Sequence, residues 1–478
     1  MSPTKVDENI TVKDPRDLES RFVDIKKRLI KPENIDKVTA SWKRLLAAIE
    51  IEADTIAKAG PSYVPTTTFE EIVANNFNLP SEIALKFKER GVIMIKNVVD
   101  RHQIDLWYEE LVSFCKEHPE TAGYTFPNPT SWYNVFWTKP QTEARCHPNV
   151  QKLLSAMSKQ FYVKDDTLPI DLESQVVYGD RIRIREPGKA ATLPLHLDSS
   201  SIERWEDENY SKVYQEIFEG NWEDWDPYKL DIRANAIENL YEHIETGKST
   251  ICSAFRTLQG WLALSDNKSG EGTLRVLPNV KLSMAYIMLR PFFWQDISND
   301  EDWQIDLDTP KFPGADPGTG QLFLPDEFFS HLRQEKEVIS IPDVSKGSFV
   351  FWHADIPHEV DRQHNGDGHS SVFYYALTPL SLININVLLN TRHAFLHNKS
   401  PKDYSSQLSE EERAREYHGA DVNNVNNESG LISMGLKSFD TKDPNLSSGQ
   451  VKIRQLANQA LSDNKFDAHH YINEYVKF

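Results

Sequence analysis

The chain has 478 residues and a formal net charge of −19. Because an acidic protein is repelled by polyanions, this charge argues against nucleic acid or an anionic membrane surface as the main partner. No apolar run approaches the roughly 20 residues of a membrane helix, and three scattered cysteines are too few for a disulfide framework or a four-thiolate zinc site. The polar N-terminus lacks the apolar core of a secretion signal, so we expect a cytoplasmic protein.

The first 170 residues are predicted to be mostly helical. Residues 1–20 are charged and polar, and we expect a flexible segment there. From residue 21 onward, apolar residues recur at spacings of three and four, which predicts amphipathic helices with a stop at Gly60. One short apolar run, Val92–Ile95, predicts a buried strand within this region.

The spacing changes from helical to strand-like near residue 171. Residues 181–185 (RIRIR) alternate strictly, which predicts a strand with one polar face. Further short strands follow up to about residue 390, separated by turns rich in Gly or Asp and interrupted by a helical insert at 201–248. This set of strands favours an α+β protein built on a jelly-roll or cupin-like barrel, also called a double-stranded β-helix, wrapped by the N-terminal and inserted helices.

These patterns predict one domain over residues 21–400. Its helical part spans 21–170 and its barrel spans about 171–390. The polar segment at 401–478 is predicted to form a helical and irregular C-terminal extension.

The segment LPLHLDSSS contains the first candidate metal ligands. His196 and Asp198 lie two residues apart in a predicted strand, so their side chains point to the same face. An imidazole and a carboxylate placed in this way can supply two of three protein ligands. Two His and one carboxylate hold one face of an octahedral Fe(II) and leave its other positions open. The pattern is short, however, and a second copy occurs at His353 and Asp355.

The third ligand is expected on a late strand, far along the chain from Asp198. The segment GSFVFWHADIPHEV offers His353 and His358, and we favour His358 because it follows the strand after a short turn. His353 would then donate a supporting hydrogen bond or line the pocket. The remaining candidates are predicted to be ordinary core or surface histidines: His243, His331, His393, His397, His469 and His470.

Five segments carry a resemblance to a known family. In chain order they are RIRIREPG, LPLHLDSSS, FRTLQGWLALSD, GEGTLRVLPN and GSFVFWHADIPHEV. Together they resemble the Fe(II)/2-oxoglutarate-dependent dioxygenase superfamily. More narrowly, LHLDSSSIERW, FEGNWEDWDPY, FRTLQGWLAL, GEGTL and WHADIPHEV resemble the family known as domain of unknown function 1479 (DUF1479). The resemblance covers roughly residues 20–400.

The resemblance implies both a site and a reaction. Its implied iron ligands are His196, Asp198 and His358. Its implied cofactors are Fe(II) and the cosubstrate 2-oxoglutarate, and its implied partners are dioxygen and a small-molecule substrate. The implied activity is hydroxylation of that substrate with release of succinate and CO₂.

One feature departs from the superfamily pattern. Many 2-oxoglutarate enzymes place an Arg about ten residues past the distal His, where it binds the far carboxylate of the cosubstrate. The corresponding stretch here is QHNGDGHSSVFYY, which places His369 or Ser370 at that position. Neither side chain offers the paired donors of a guanidinium. The cosubstrate-binding alternatives are Arg256, Arg183 and Arg275, although each could equally form an ordinary ion pair on the barrel rim.

Other residues are predicted to shape the pocket. Gln259 and Trp261 share a strand face and are expected to line it, although core packing would also explain Trp261. Gly272, in GEGTL, is predicted to occupy a tight turn with positive φ. The acidic, aromatic segment Trp205–Tyr228 would either cover the barrel mouth or form an ordinary packed excursion.

Three functions remain open at this point. The first is a non-haem Fe(II) oxygenase that uses 2-oxoglutarate. The second is a cupin-type metalloenzyme without that cosubstrate, which the missing Arg favours. The third is a metal-free binding module, which the retained His/Asp/His set disfavours.

Overall fold

A computed structural model describes residues 17–123, 131–188, 193–236, 252–295, 303–324, 326–405 and 420–475. Residues 1–16 of the predicted flexible segment, and residues 237–248 of the predicted insert, lie outside these ranges. The backbone N–H of Leu18 donates to the Pro310 carbonyl at 3.0 Å, so the described chain begins with a contact to the body of the protein. Within the described ranges, no helix is both long enough and apolar enough to span a membrane.

The N-terminal region is helical, as its periodicity predicts. The longest helix buries Val38, Trp42, Leu45 and Ile49 at spacings of three and four, and Gly60 caps it with φ 52°. The α-helices before the insert are α1 (Arg21–Leu29), α2 (Ile35–Ala59), α3 (Phe69–Ala74), α4 (Ser81–Arg90), α5 (Arg101–Glu117), α6 (Lys139–Arg145) and α7 (Pro148–Ser158).

The later helices cover the sheets and extend to the C-terminus. Three short helices belong to the insert: α8 (Glu203–Glu206), α9 (Glu208–Lys212) and α10 (Gln215–Phe218). The others are α11 (Val280–Leu289), α12 (Gln334–Glu337), α13 (Leu382–Leu396), α14 (Lys402–Ser405), α15 (Glu428–Ser433), α16 (Ser448–Asp463) and α17 (Ala468–Tyr475).

The strands are short, and most of them follow residue 170. They are β1 (Thr66–Thr68), β2 (Val92–Lys96), β3 (Trp132–Tyr133), β4 (Ile170–Gln175), β5 (Ile182–Arg185), β6 (His196–Leu197), β7 (Leu258–Ala263), β8 (Leu274–Val276), β9 (Phe293–Gln295), β10 (Trp303–Ile305), β11 (Gln321–Leu322), β12 (Ile339–Ser340), β13 (Phe349–His353), β14 (His358–Val360), β15 (Ser370–Leu377) and β16 (Pro379–Ser381).

Two sheets dominate this mixed α and β fold. The first has the strand order β1-β2-β13-β7-β15-β5-β3, and the second has the order β11-β6-β14-β8-β12. Two-stranded sheets, β9 with β10 and β4 with β16, lie outside them. The predicted strand at Val92–Ile95 is β2, which lies between β1 and β13 in the first sheet.

The C-terminal region is attached through its own apolar cluster. Helices α13, α16 and α17 bury Leu388, Ile453 and Ile472 in a cluster separate from the main core. The Arg454 Nε donates to Asp171 Oδ2 at 2.7 Å, and the Asp171 side chain is fully buried. This ion pair ties α16 to β4, so the predicted extension is joined to the domain by both apolar and charged contacts.

Candidate metal centre

The candidate ligands meet where two short strands of the second sheet pair. In the antiparallel register of β6 and β14, His196 lies directly opposite His358. Opposed residues on one sheet face have neighbouring side chains, and the two imidazole centroids are 4.4 Å apart. Asp198 follows β6 immediately. One ligand atom from each of these three residues lies within 4.8 Å of the others.

Backbone carbonyls orient both imidazoles. His196 Nδ1 lies 2.8 Å from the Pro194 carbonyl, and His358 Nδ1 lies 3.0 Å from the Ile356 carbonyl. A carbonyl only accepts hydrogen bonds, so each Nδ1 carries a proton, and Nε2 is the atom that keeps the lone pair when the imidazole is neutral. This arrangement, with Nδ1 held from behind, is the usual way in which proteins orient metal-binding histidines.

The carboxylate lies between the two imidazoles. Asp198 Oδ1 is 3.3 Å from His196 Nε2, and Oδ2 is 3.3 Å from His358 Nε2. Gln259 Nε2 donates to Asp198 Oδ2 at 2.7 Å and fixes the plane of the carboxylate. The Asp198 side chain is 41% exposed, whereas the histidine side chains are 8% and 7% exposed. The three candidate ligands are therefore accessible from the side on which Asp198 lies.

The charges of the three groups suit a cation. Withdrawal from water raises the pKa of Asp198, but the two imidazoles outweigh this effect and hold that pKa well below its usual range. Burial and the neighbouring His196 lower the pKa of His358. For His196 burial lowers the pKa, but Asp198 outweighs burial and raises it. Near neutral pH the group therefore presents an ionised carboxylate beside at least one neutral imidazole.

A cavity of about 210 Å³ lies between the two sheets, in front of the ligands. Gln259 and Trp261, the residues predicted to line the pocket, both belong to its wall. Further wall residues are mainly aromatic or charged: Trp132, Tyr178, Asp180, Arg181, Arg183, Arg256, Trp352, Tyr374, Tyr375, Asp403 and Tyr404.

Arg183, one of the three predicted arginines, lies in this wall. It is 4% exposed, and its Nη2 donates to the Gly272 carbonyl at 3.4 Å and to Ser370 Oγ at 3.2 Å. Gly272 has φ 78°, which confirms the predicted turn. Among the described residues, the Arg183 Nε has no hydrogen-bond acceptor and the guanidinium has no carboxylate partner. Ser370 is one of the two positions at which the superfamily pattern would place its Arg.

The other two predicted arginines have different surroundings. Arg256 lines the cavity, and its Nη2 donates to Ser199 Oγ at 3.3 Å. Arg275 is not part of the cavity wall, because it forms an ion pair with Glu359 at 2.9 Å and donates to the Val338 carbonyl at 2.7 Å. The structure therefore places Arg183 and Arg256 near the candidate ligands, whereas Arg275 forms the rim ion pair that was its alternative.

His353 differs from its predicted place in the pocket. Its ring lies 5.7 Å from Phe161 and 5.4 Å from Tyr228, and its Nε2 contacts the Pro227 carbonyl at 3.1 Å. The reason is strand alternation, because neighbouring residues on β13 point to opposite faces. Trp352, one position earlier, lines the cavity instead, with its ring 5.0 Å from His358.

Some cavity residues were missed by the sequence reasoning. Alternation along β13 separates Trp352 from His353, and the alternation of residues 181–185 puts Arg181 on the same face as Arg183. Tyr404 comes from the region assigned to the C-terminal extension, and no local pattern marks it as a wall residue.

The described part of the insert packs into the protein instead of lining the cavity. The side chains of Trp205, Tyr210, Tyr214 and Trp225 are buried, and no residue of the described segment 205–228 belongs to the cavity wall. The packed excursion, which was the alternative at the sequence level, describes this segment better than a cover over the barrel mouth.

Comparison with known proteins agrees with the predicted family. The Gig2-like family model matches residues 16–436, and the chain belongs to this family. The chain is similar to the protein in the crystal structure of GlcNAc Inducible Gene 2, GIG2 (DUF1479), from Candida albicans, with 60% sequence identity. That match has a TM-score of 0.89 and covers 97% of this chain and 99% of that one. The predicted DUF1479 resemblance is confirmed.

Two bacterial comparisons extend this similarity. The Escherichia coli K12 protein YbiU is 27% identical over 384 residues, which is 78% of this chain and 86% of YbiU. A crystal structure of the Escherichia coli protein JW0805 is 25% identical, with a TM-score of 0.71. It covers 87% of this chain and 96% of that one. The same fold therefore occurs in a fungus and a bacterium.

Proposed function

We propose that this protein is a non-haem Fe(II)- and 2-oxoglutarate-dependent oxygenase that hydroxylates a small molecule. The observation that carries the proposal is the convergence of His196, Asp198 and His358 at one end of a polar, aromatic cavity. Two imidazole nitrogens and one carboxylate match the facial set that binds Fe(II) and leaves positions open for other ligands.

The strand order supports this class of barrel. Successive strands from β5 to β8 belong to the first and second sheets in alternation, and so do the successive strands from β12 to β15. The resulting orders are β5-β15-β7-β13 in the first sheet and β6-β14-β8-β12 in the second. This eight-stranded arrangement is the one expected of a double-sheet jelly roll. We propose that fold for residues 182–377, with the additional strands extending its two sheets.

The residues present also fit the metal. Both imidazoles are held through Nδ1, so their free Nε2 atoms face Asp198. Gln259 keeps the carboxylate turned toward the same point. His196, Asp198 and His358 would therefore hold Fe(II) with little rearrangement, and the 41% exposed Asp198 side faces the cavity in which other ligands would bind.

Arg183 is our choice for binding the distal carboxylate of 2-oxoglutarate. It is a buried cation with an unfilled Nε donor and no carboxylate partner among the described residues. A guanidinium binds a carboxylate through two parallel, charge-assisted hydrogen bonds. Its contact with Ser370 Oγ supports this choice, because Ser370 is one of the two positions at which the superfamily pattern would have its Arg. Arg256 is the second candidate, because it also lines the cavity.

The bound metal and cosubstrate would supply the oxidising chemistry. One dioxygen, one 2-oxoglutarate and one C–H bond would yield succinate, CO₂ and an alcohol, so atoms and electrons balance. The protein's contribution is positioning and exclusion of water. Trp261, Trp352 and Tyr374 form aromatic walls that would limit the approach of a substrate to one direction.

Succinate formation tests the proposal directly. Purified full-length protein should convert 2-oxoglutarate to succinate when Fe(II), ascorbate and oxygen are supplied, at least slowly without substrate and faster with a suitable one from a broad panel. The Asp198→Ala variant should form none. Binding of Fe(II) without any succinate, and without stabilisation of the protein by 2-oxoglutarate, would instead favour the cupin-type metalloenzyme that does not use this cosubstrate.

A further inference from the structure

A fully buried arginine of the insert lies between the two segments that carry the candidate ligands. Arg204, on α8, has no exposed surface. A buried guanidinium is costly unless its donors are satisfied and its charge is balanced. The partners that Arg204 has acquired therefore show what holds it in place.

One set of contacts reaches the segment that follows Asp198. The Arg204 Nη2 donates to the Ser199 carbonyl at 3.0 Å, and the Tyr210 hydroxyl donates to the same carbonyl at 3.1 Å. Arg256 Nη2 donates to the Ser199 hydroxyl at 3.3 Å. Ser199 is bonded to Asp198, so these contacts fix the backbone from which the carboxylate ligand projects.

The second set of contacts reaches the segment before His358. The Arg204 Nη1 donates to Asp355 Oδ1 at 2.8 Å and to the Tyr214 hydroxyl at 2.6 Å. The Tyr214 hydroxyl also lies 3.3 Å from Asp355 Oδ2, to which it can donate. Asp355 precedes Ile356, whose carbonyl orients the His358 imidazole. One guanidinium thus connects the backbone beside Asp198 with the backbone that supports His358.

We propose that Arg204 and Asp355 form a positioning pair that sets the separation between Asp198 and His358, so that the insert holds the metal site together from outside. This inference rests on the proposed metal site. It gives the second His-x-Asp motif a role of its own, because Asp355 binds an arginine that holds both ligand segments and does not itself bind metal. It also accounts for an insert that contributes no described residue to the cavity wall.

If Arg204 served only the general stability of the fold, its hydrogen bonds would not need to reach the chain beside both Asp198 and His358. Arg290 offers the comparison. It is also buried, and it donates to the Phe328 carbonyl at 2.5 Å and to the Phe293 carbonyl at 2.7 Å, neither of which adjoins a candidate ligand. Substitution of either arginine should destabilise the fold, but only substitution of Arg204 should weaken metal binding.

The test uses Co(II) as the probe, in anaerobic titrations of the full-length apoprotein followed by its visible absorption. The main variant is Arg204→Met combined with Asp355→Asn, which removes both charges of the pair at once; it also removes the carboxylate charge that lies 3.9 Å from Arg233. We expect its Kd for Co(II) to rise by about 10- to 100-fold, the usual cost of losing groups that orient metal ligands, and its absorption spectrum to change. Arg290→Met should keep the wild-type Kd and spectrum although its thermal midpoint falls.

A folded double variant with the wild-type Kd and spectrum would overturn the inference. If the double variant does not fold, Tyr214→Phe decides, since it removes only the hydroxyl that bridges Arg204 and Asp355. An increase of severalfold in its Kd supports the positioning pair, and an unchanged Kd overturns it. Failure of the wild-type protein to bind Co(II) would contradict the proposed function itself, and is thereby distinguished from failure of this inference.

Discussion

The two His-x-Asp motifs of this chain have the same spacing but opposite surroundings. At His196 and Asp198, the imidazole Nε2 and the carboxylate face each other and a third residue, His358, at the edge of a cavity. At His353 and Asp355, the imidazole Nε2 contacts the Pro227 carbonyl and the carboxylate binds Arg204. In the first motif, a backbone contact holds Nδ1 and leaves Nε2, the atom that a metal would bind, available. In the second, that atom is already used.

The comparison shows that a ligand motif is defined by which atoms remain available. His196 is held from behind by the carbonyl of Pro194, two residues earlier, which directs Nε2 forward. His353 Nδ1 instead accepts from the Asp355 backbone N–H at 3.1 Å, so its ring is fixed by its own loop. Substitutions in and around the two motifs test this contrast.

Removal of a ligand from the first motif should have the largest effect. In Asp198→Ala, two imidazoles remain without the charge that balances the metal. We expect Fe(II) affinity to fall by about 100-fold or more and succinate formation to cease. Isothermal titration under anaerobic conditions measures the affinity. A folded Asp198→Ala protein that bound Fe(II) as the wild type does would show that the first motif is not the metal site.

Substitution of the cavity arginine should have the next largest effect. Arg183→Met removes the charged donors that we assign to the distal carboxylate of 2-oxoglutarate. Its KM for 2-oxoglutarate should rise by about 10- to 100-fold, which corresponds to the loss of a charge-assisted pair, while Fe(II) affinity stays near the wild-type value. Arg275→Met is the matched control, and its KM should not change. A raised KM in Arg275→Met together with an unchanged KM in Arg183→Met would indicate that 2-oxoglutarate binds at the rim of the barrel.

Lowering the pH should affect the two His-x-Asp motifs differently. Because Asp198 raises the pKa of His196 above its usual value, a proton would compete with a metal there. Below that pKa, metal affinity should fall by about tenfold per pH unit. Arg204 and Arg233 outweigh burial and hold the pKa of Asp355 well below its usual value, so the stability that Asp355 contributes is present above about pH 4 and is lost only in stronger acid.

Two titrations measure this difference. Co(II) affinity should decline steadily from pH 7 to pH 5. Over the same interval, the gap in thermal midpoint between the wild type and Arg204→Met/Asp355→Asn should stay constant. If the difference in thermal midpoint disappeared over the pH range in which Co(II) affinity falls, the two motifs would titrate as one unit.

The smallest expected effect concerns the histidine of the second motif. His353→Gln keeps a donor for the Pro227 carbonyl but loses the ring contacts with Phe161 and Tyr228. We expect a loss of about 1 to 2 kcal/mol in the free energy of unfolding and no change in Fe(II) affinity, measured by urea denaturation and by titration. A loss of metal binding without a loss of stability would assign His353 a direct role.

The sequence sufficed for the parts of the fold and site that depend on local pattern. The spacing of apolar residues placed α2 and its end at Gly60, and the alternation of RIRIR placed β5. The candidate ligand set was also predicted from sequence, because an His-x-Asp motif and a late His are short signals that the family-like segments made specific. The paired register of His196 and His358 agrees with that assignment.

The remaining features depend on contacts between residues far apart in the chain. The opposite faces of Trp352 and His353 follow from alternation, but which face meets the cavity depends on how β13 pairs with β2 and β7. Arg183 could be separated from Arg275 only after their partners, Ser370 and Glu359, were known. The contribution of Tyr404 from α14 required the complete fold, because nothing in its own segment marks it.

Anomalous scattering from crystals soaked in Fe(II) without oxygen tests the central claim most directly, because it locates the metal in relation to both motifs at once. We expect one peak per chain, about 2 Å from His196 Nε2, His358 Nε2 and an Asp198 carboxylate oxygen, and no peak beside Asp355. A peak between His353 and Asp355, or no peak at the first motif in metal-saturated crystals, would contradict it.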